Sequence, residues 1–454
     1  MKLVICCCIL YSIVAVSDAI GIRPAKDYNI VDDSSNVDEP LFLTSYIERG
    51  DIQGGQKAAL VPPLYGNIIS YSGFLTVNHL HNSNLFFWFF PAEINNATAP
   101  LVIWLQGGPG GSSLFGLFEE NGPFYIDTNY KLVKRDYYWT KTLNVIYIDN
   151  PVGTGFSFTG NLTGYARNQV DVGRNLYIAV KQFLTLFPQY LNNDLYVTGE
   201  SYAGKYVPAL AYAIDEYNVD SDMKINLKGI AIGDGLCDPI SMLNYADYLY
   251  QIGLIDKKIQ KKLQELQDTA KRLIELEQYE LATDVFSEII LGDNSGFSFY
   301  YNYLHYKDDN THGDVGAFVN SKDVRSKLHV GNLTYHSGEE VEQYLKADIS
   351  RSIKPWFEVL IEKYRVVLYS GQLDIIVAYP LTLNFIHSLN WTGVEQYRNA
   401  ERKLWYVDNE LAGYTKTAGK FTEILVRNAG HMVPSDQPKW AYDLIQRITG
   451  NIPF

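Results

Sequence analysis

Cysteine is scarce in this chain. Four occur in 454 residues: Cys6, Cys7 and Cys8 crowd near the start, and Cys237 stands alone afterwards. Once a leader is removed, no internal disulfide is possible, which excludes a disulfide scaffold and leaves stability to the core. No histidine or basic residue lies near Cys237 in Ala231-Ile232-Gly233-Asp234-Gly235-Leu236-Cys237-Asp238-Pro239, so a buried, inert thiol is expected there. Positive charge is also short. Lys and Arg number 38 against 51 Asp and Glu, for a net charge of −13 and a pI near 5.1, which argues against nucleic acid and anionic membrane surfaces as partners. Beyond the first residues no apolar run approaches the roughly 20 needed to span a bilayer, so no membrane anchor is expected. Of the eight histidines only His79 and His81 are closely spaced. They read as one face of a strand without a third ligand, and neither metal nor cofactor is expected.

What is present starts with a leader. Met1-Lys2-Leu3 opens an apolar run through Val16, and Ser17-Asp18-Ala19 offers a small-x-small cleavage site, so residues 1–19 read as a secretory signal peptide. The mature protein is then expected in the secretory pathway, secreted or in a lysosomal or vesicle lumen. Residues 20–50, rich in Asp and Ser, read as a loosely ordered mature N-terminus or pro-segment. Asn96, Asn161, Asn332 and Asn390 head N-x-S/T sequons, as a secreted glycoprotein requires. With 47% hydrophobic and 14% aromatic residues, the chain can bury a large core.

Strand-like apolar runs alternate with helix-like stretches. Leu101 to Leu105, Asn144 to Ile148, Leu195 to Thr198 and Gly229 to Ile232 are separated by amphipathic stretches such as 168–187. Val366 to Tyr369 and Thr422 to Val426 resume the rhythm. This predicts an α/β fold with a mainly parallel sheet covered by helices on both faces. Residues 256–292, rich in Lys and Glu with leucines at helical spacing, predict one or two surface helices. The chain divides into a first core part, 51–235, a cap insertion, 236–345, and a second core part, 346–454. The cap is expected over the C-terminal edge of the sheet, where open α/β sheets place ligands.

Gly199-Glu200-Ser201-Tyr202-Ala203-Gly204 sets a serine between small residues where an apolar strand meets a helical stretch, the layout of a nucleophile elbow. A serine hydroxyl needs a base to take its proton and a carboxylate to orient that base. Gly371-Gln372-Leu373-Asp374 and Asn428-Ala429-Gly430-His431-Met432 each follow a predicted strand, giving the chain order Ser201, Asp374, His431 expected of an α/β-hydrolase triad. Against this stand plainer readings: a structural histidine, and Asp374 as the N-cap of a helix over Tyr379 to Ser388. Leu105-Gln106-Gly107-Gly108-Pro109-Gly110-Gly111-Ser112-Ser113 follows another strand and lacks the Gly-Lys-Ser/Thr ending of a phosphate loop. The N–H groups of Gly108 and Tyr202 are therefore the candidate oxyanion hole.

Taken together, Trp104 to Ser113, Asn150-Pro151-Val152-Gly153-Thr154-Gly155-Phe156-Ser157, Gly199 to Gly204, Gly371 to Asp374 and Gly430 to Pro434 resemble the serine carboxypeptidases, within them the vitellogenic carboxypeptidase-like branch. The resemblance covers nearly the whole mature chain. It implies an α/β-hydrolase fold and release of C-terminal residues from peptides with a free C-terminus, best at acidic pH. It further implies that Glu120, Glu200 and Gln106 grip the substrate carboxylate and that Met432 lines the pocket for the departing residue. Two carboxylates beside a third repel unless they hold protons, so binding should strengthen as pH falls. The chain departs from the family at three places: Gln106 and Asp234 stand where asparagine is usual, and Gly111 where cysteine is usual. An esterase or acyltransferase on the same triad, which would not need Glu120 and Glu200, and a non-catalytic glycoprotein stay open as alternatives.

Overall fold

The computed structural model describes residues 39–291, 296, 299–307 and 312–454. The expected leader, 1–19, and residues 20–38 of the segment after it lie outside them. Among the described residues twelve strands are formed: β1 Tyr71–Asn78, β2 Ser83–Phe90, β3 Leu101–Leu105, β4 Phe124–Ile126, β5 Leu132–Lys134, β6 Asn144–Ile148, β7 Leu195–Glu200, β8 Leu227–Gly233, β9 Arg365–Gly371, β10 Lys403–Val407, β11 Glu410–Ala418 and β12 Phe421–Val426. β4 and β5 form a separate ribbon, and the other ten make one sheet in the order β1-β2-β6-β3-β7-β8-β9-β12-β11-β10.

The six strands from β6 to β12 pair in parallel. β3, β6 and β7 are buried along their full length, because a parallel strand is covered on both faces and so reads as an unbroken apolar run. Those runs are the ones legible in the sequence. The flanks β1–β2 and β10–β11 are antiparallel and were not among the predicted strands. β1 (YSGFLTVN) and β11 (ELAGYTKTA) mix small and polar residues with apolar ones, which hides the pattern.

Side chains alternate between two cores. Leu101, Ile103 and Leu105 of β3 face one cluster, with Val172, Leu176 and Val180 of the helix Gln169–Leu186 and with Val207 and Leu210 of the helix Ala203–Tyr217. Val102 and Trp104 face the other, with Leu444, Ile445 and Ile448 of the helix Pro438–Thr449. The period of two along the strand dictates this split. Between β8 and β9 the chain leaves the sheet for a largely helical segment. There Lys257–Glu275 and Tyr279–Leu291 pack on each other. The first is capped by Asp256, which accepts from Ile259 N, and buries only Leu263, Gln267 and Ala270, as an amphipathic surface helix should.

Candidate active site

β7 ends at Glu200 and the next helix begins at Ala203, so the chain must reverse over Ser201 and Tyr202. Ser201 has φ 62°, a left-handed backbone that a non-glycine residue holds only when its surroundings impose it. They do: Ser201 N donates to Gly233 O at 3.0 Å, and Ser201 O accepts from Gly204 N and Leu236 N, each at 2.9 Å. A Cβ at residue 199 would lie 2.3 Å from Leu105 O and 2.8 Å from Ala203 Cβ. Glycine is required at 199, and its missing side chain leaves the room that the Ala203 methyl fills.

Asp374 follows β9 and is buried, as is His431 beyond β12. His431 Nδ1 lies 2.9 Å from Asp374 Oδ2. The carboxylate facing Nδ1 fixes the proton there and leaves Nε2 as the basic nitrogen of the neutral ring. His431 Nε2 is buried and, among the described residues, makes no hydrogen bond. Asp374 is itself held: Oδ1 accepts from Ile376 N at 2.8 Å, and Oδ2 from Val377 N at 3.1 Å. The helix Tyr379–Ser388 is capped at Ala378, so Asp374 does not serve as its N-cap. Leu373 N donates to Ala429 O at 2.7 Å and Gln372 N to Val426 O at 2.9 Å, lacing the two loops together. Because β3, β7, β9 and β12 run parallel, the loops carrying Gly108, Ser201, Asp374 and His431 all leave one edge of the sheet.

The glycine loop after β3 presses on the elbow. A Cβ at Gly107 would lie 2.6 Å from Ser201 Cβ and 2.7 Å from Tyr202 N. Among the described residues, the N–H groups of Gly108 and Tyr202 have no hydrogen-bond acceptor. Two unpaired amides beside a serine are what an oxyanion hole requires.

From β3, Trp104 Nε1 donates to Oε1 of Gln106 at the start of that loop at 2.9 Å, which orients the amide so that Nε2 donates to Glu200 Oε1 at 2.7 Å. The longer side chain at 106 thus still reaches the carboxyl. Glu120 lies on the turn Gly116–Asn121 and is buried, 1% exposed, whereas Glu119 pairs with His312. That separates two glutamates the sequence leaves equivalent. Burial pushes the Glu120 carboxyl up to about 7, against the pull of its contacts with Glu200 and Gln106. Burial and then the charge of Glu120 push Glu200 well above the usual carboxylate range. Among the described residues no hydrogen-bond donor reaches either Glu120 oxygen or Glu200 Oε2, and a pair so buried favours holding at least one proton.

Other residues at the site gave no sequence signal. Tyr301 stacks on His431, with ring centroids 5.4 Å apart and planes 18° apart, and its carbonyl accepts from His431 N at 2.6 Å. Asp436 Oδ2 accepts from Gly430 N at 2.6 Å and Asn302 Nδ2 at 3.0 Å. Tyr248 OH donates to Asp374 O at 2.7 Å. All but Asp436 come from the segment between β8 and β9, far from the motifs in sequence. Met432 is half-buried beside His431. Cys237 is buried, its Sγ donating to Gly204 O at 3.4 Å, and burial pushes its thiol up.

Residues 63–451 match the serine carboxypeptidase family. The chain belongs to that family. The serine carboxypeptidase relatives include the venom serine carboxypeptidase of Apis mellifera, 52% identical over 428 residues that cover 91% of this chain and 92% of the relative. The vitellogenic carboxypeptidase of Aedes aegypti is 46% identical over 425 residues, 90% of each chain. Among solved structures, the prohormone-processing carboxypeptidase of Saccharomyces cerevisiae superposes with a TM-score of 0.76 at 24% identity, covering 87% of this chain and 96% of that one. That likeness shows the α/β-hydrolase fold.

Proposed function

We propose that this serine carboxypeptidase releases C-terminal residues from peptides through an acyl-enzyme, best at acidic pH. Ser201 Oγ attacks the last peptide carbonyl as His431 Nε2 takes its proton, and Asp374 holds the imidazolium. The Gly108 and Tyr202 amides receive the oxyanion. Collapse expels the last residue as an amine carrying the proton from His431, and water then attacks the acyl-enzyme by the same route.

One observation carries the exopeptidase reading: Glu120, Glu200 and Gln106 are buried together, Gln106 Nε2 donates to Glu200 Oε1 at 2.7 Å, and burial favours the protonated form of both carboxyls. An ester substrate without a carboxylate would have no use for it, so the esterase reading loses its support. The test is hydrolysis of an N-blocked dipeptide from pH 4 to 8 beside its C-terminal amide. Preference for the free acid, strongest at low pH, is expected; equal or better turnover of the amide overturns the reading. Ser201→Ala should lower kcat by at least about 10⁴-fold while leaving the protein folded.

Met432 lines the pocket of the departing residue, and 236–345 acts as the cap over the sheet edge. Asn96, Asn161, Asn332 and Asn390 are all exposed, which supports their use as glycan acceptors. The protein travels the secretory pathway to the exterior or a lysosomal lumen. Among the described residues no helix is long and apolar enough to cross a membrane.

A further inference from the structure

Asp234 sits at the end of β8, fully buried, and has no part in the mechanism above. Its φ of 43° is a left-handed backbone that costs energy in a residue with a side chain. Asp234 N donates to Tyr369 O at 2.8 Å and Gly371 N to Asp234 Oδ1 at 2.9 Å. These bonds lock residue 234 to the strand that delivers Asp374. Among the described residues Asp234 Oδ2 has no donor, and carboxylate oxygens of Asp234 and Asp374 lie with a His431 ring nitrogen within 4.8 Å of one another. Two carboxylates cannot share so dry a space without a proton between them. Among the described residues the other hydrogen-bond partners of the Asp374 carboxylate are Ile376 N, Val377 N and His431 Nδ1.

We propose that Asp234 is a positioning residue for the triad: it keeps a proton, donates it as an O–H···O hydrogen bond to the Asp374 carboxylate, and so fixes the carboxylate that orients His431. Burial first, and the negative charge of Asp374 second, make the proton hard to remove, with Asp436 adding to the effect. The groups facing the carboxyl are Asp374, Asp436 and His431, with Glu200 on the neighbouring strand and the hydroxyls of Tyr369 and Tyr248. When the proton leaves, two adjacent buried carboxylates repel and Asp374 loses its place against His431 Nδ1. The device favours an acid-working enzyme, because the donor is present only while the carboxyl is protonated.

This inference rests on the triad reading, and its test separates the two. A neutral fluorophosphonate reacts by forming a Ser201 Oγ–P bond as fluoride leaves, and it carries no carboxylate for Glu120 and Glu200 to grip. Its labelling rate is measured between about pH 5 and 9, the span in which deeply buried carboxyls lose protons, for wild type, Asp234→Asn and Asp234→Ala, with circular dichroism confirming the fold at each pH. The asparagine amide donates at every pH. The ratio of the Asp234→Asn rate to the wild-type rate should therefore climb about tenfold from the acid to the alkaline end, the scale of one hydrogen bond to a charged group. Asp234→Ala should be slow throughout. Curves that run parallel, or an alanine variant as fast as wild type, overturn the assignment. If Asp234→Asn does not fold, the wild type decides: a labelling rate that rises to a plateau and stays there while the protein remains folded overturns it, and an alkaline fall supports it. Labelling that survives in Ser201→Ala sinks the triad reading itself, whereas a blank Ser201→Ala with parallel curves removes only the role of Asp234.

Discussion

Replacing Glu120 by glutamine tests how the acid preference arises. If a substrate carboxylate enters beside Glu120 and Glu200, as proposed, only a proton on the pair makes it tolerable. With Glu120 at about 7, its protonated fraction falls from roughly nine-tenths at pH 6 to roughly one-tenth at pH 8. If binding needs that proton, KM for a free-acid dipeptide should rise about tenfold across the interval, with kcat little affected. Glutamine is neutral at every pH and still presents donors, so KM in Glu120→Gln should change by less than about twofold. The amidated dipeptide has no charge to repel, and its KM should be flat in both proteins.

Steady-state hydrolysis at pH 5, 6, 7 and 8, with KM and kcat resolved for both substrates, decides the matter. A KM that climbs in Glu120→Gln as steeply as in the wild type refutes the argument, since the titrating group would then lie elsewhere. So does an amide whose KM climbs like that of the acid. A change in kcat alone would point to the triad and leave the carboxylate pair without its assigned role.

The same carboxyl makes a stability statement. Its folded value lies above the ordinary 4.5, so the folded state holds the proton more tightly, and the contribution is complete below about 4.5 and lost as pH rises through about 7. About 3 kcal/mol is at stake, and the urea midpoint should fall from pH 5 to 8, more steeply in wild type than in Glu120→Gln; equal slopes contradict this. Gly199→Ala brings a methyl to within 2.3 Å of Leu105 O and should cost about 1–3 kcal/mol by overpacking, with loss of Ser201 labelling; a fully active, equally stable variant would show the elbow to be looser than argued. Tyr301→Ala removes the ring stacked on His431 and should lower kcat roughly threefold to tenfold with KM nearly unchanged, while Tyr301→Phe keeps the rate. An alanine variant with full kcat removes the positioning role.

What the sequence reveals depends on how each residue's constraint is written. β3, β6 and β7 are buried on both faces, so burial is recorded as continuous apolar runs. The elbow is legible because its crowding admits only small residues at fixed offsets. β1 and β11 lie on the flanks, where polar and small side chains break the alternation. Tyr301, Asn302 and Tyr248 act through contacts that span more than a hundred residues, and a lone tyrosine or asparagine carries no periodicity. Glu119 and Glu120 are adjacent and chemically identical, so only burial, set by the turn Gly116–Asn121, tells them apart.

Asp234 is the instructive intermediate case. It was visible as a departure from the family pattern, but its meaning depended on which carboxylate stood beside it. Glu200 ends β7 and Asp234 follows β8, with Gly199 opposite Ile232 and Glu200 opposite Gly233 in register. The register sets the two acids at the ends of neighbouring strands, and the charge of Asp234 adds to the burial and the Glu120 charge that raise Glu200. The site thus gathers two pairs of buried carboxyls, Glu120 with Glu200 and Asp234 with Asp374, and burial favours the proton on Glu120, Glu200 and Asp234. On the proposed roles, raising the pH would take the proton from Glu120 and from Asp234, the first loss weakening the grip on substrate and the second the hold on the base. A KM effect and a labelling-rate effect should therefore be separable by Glu120→Gln and Asp234→Asn, and their double variant should keep more activity at pH 8 than either alone. A double variant no better than the better single one would mean that a single proton serves both pairs.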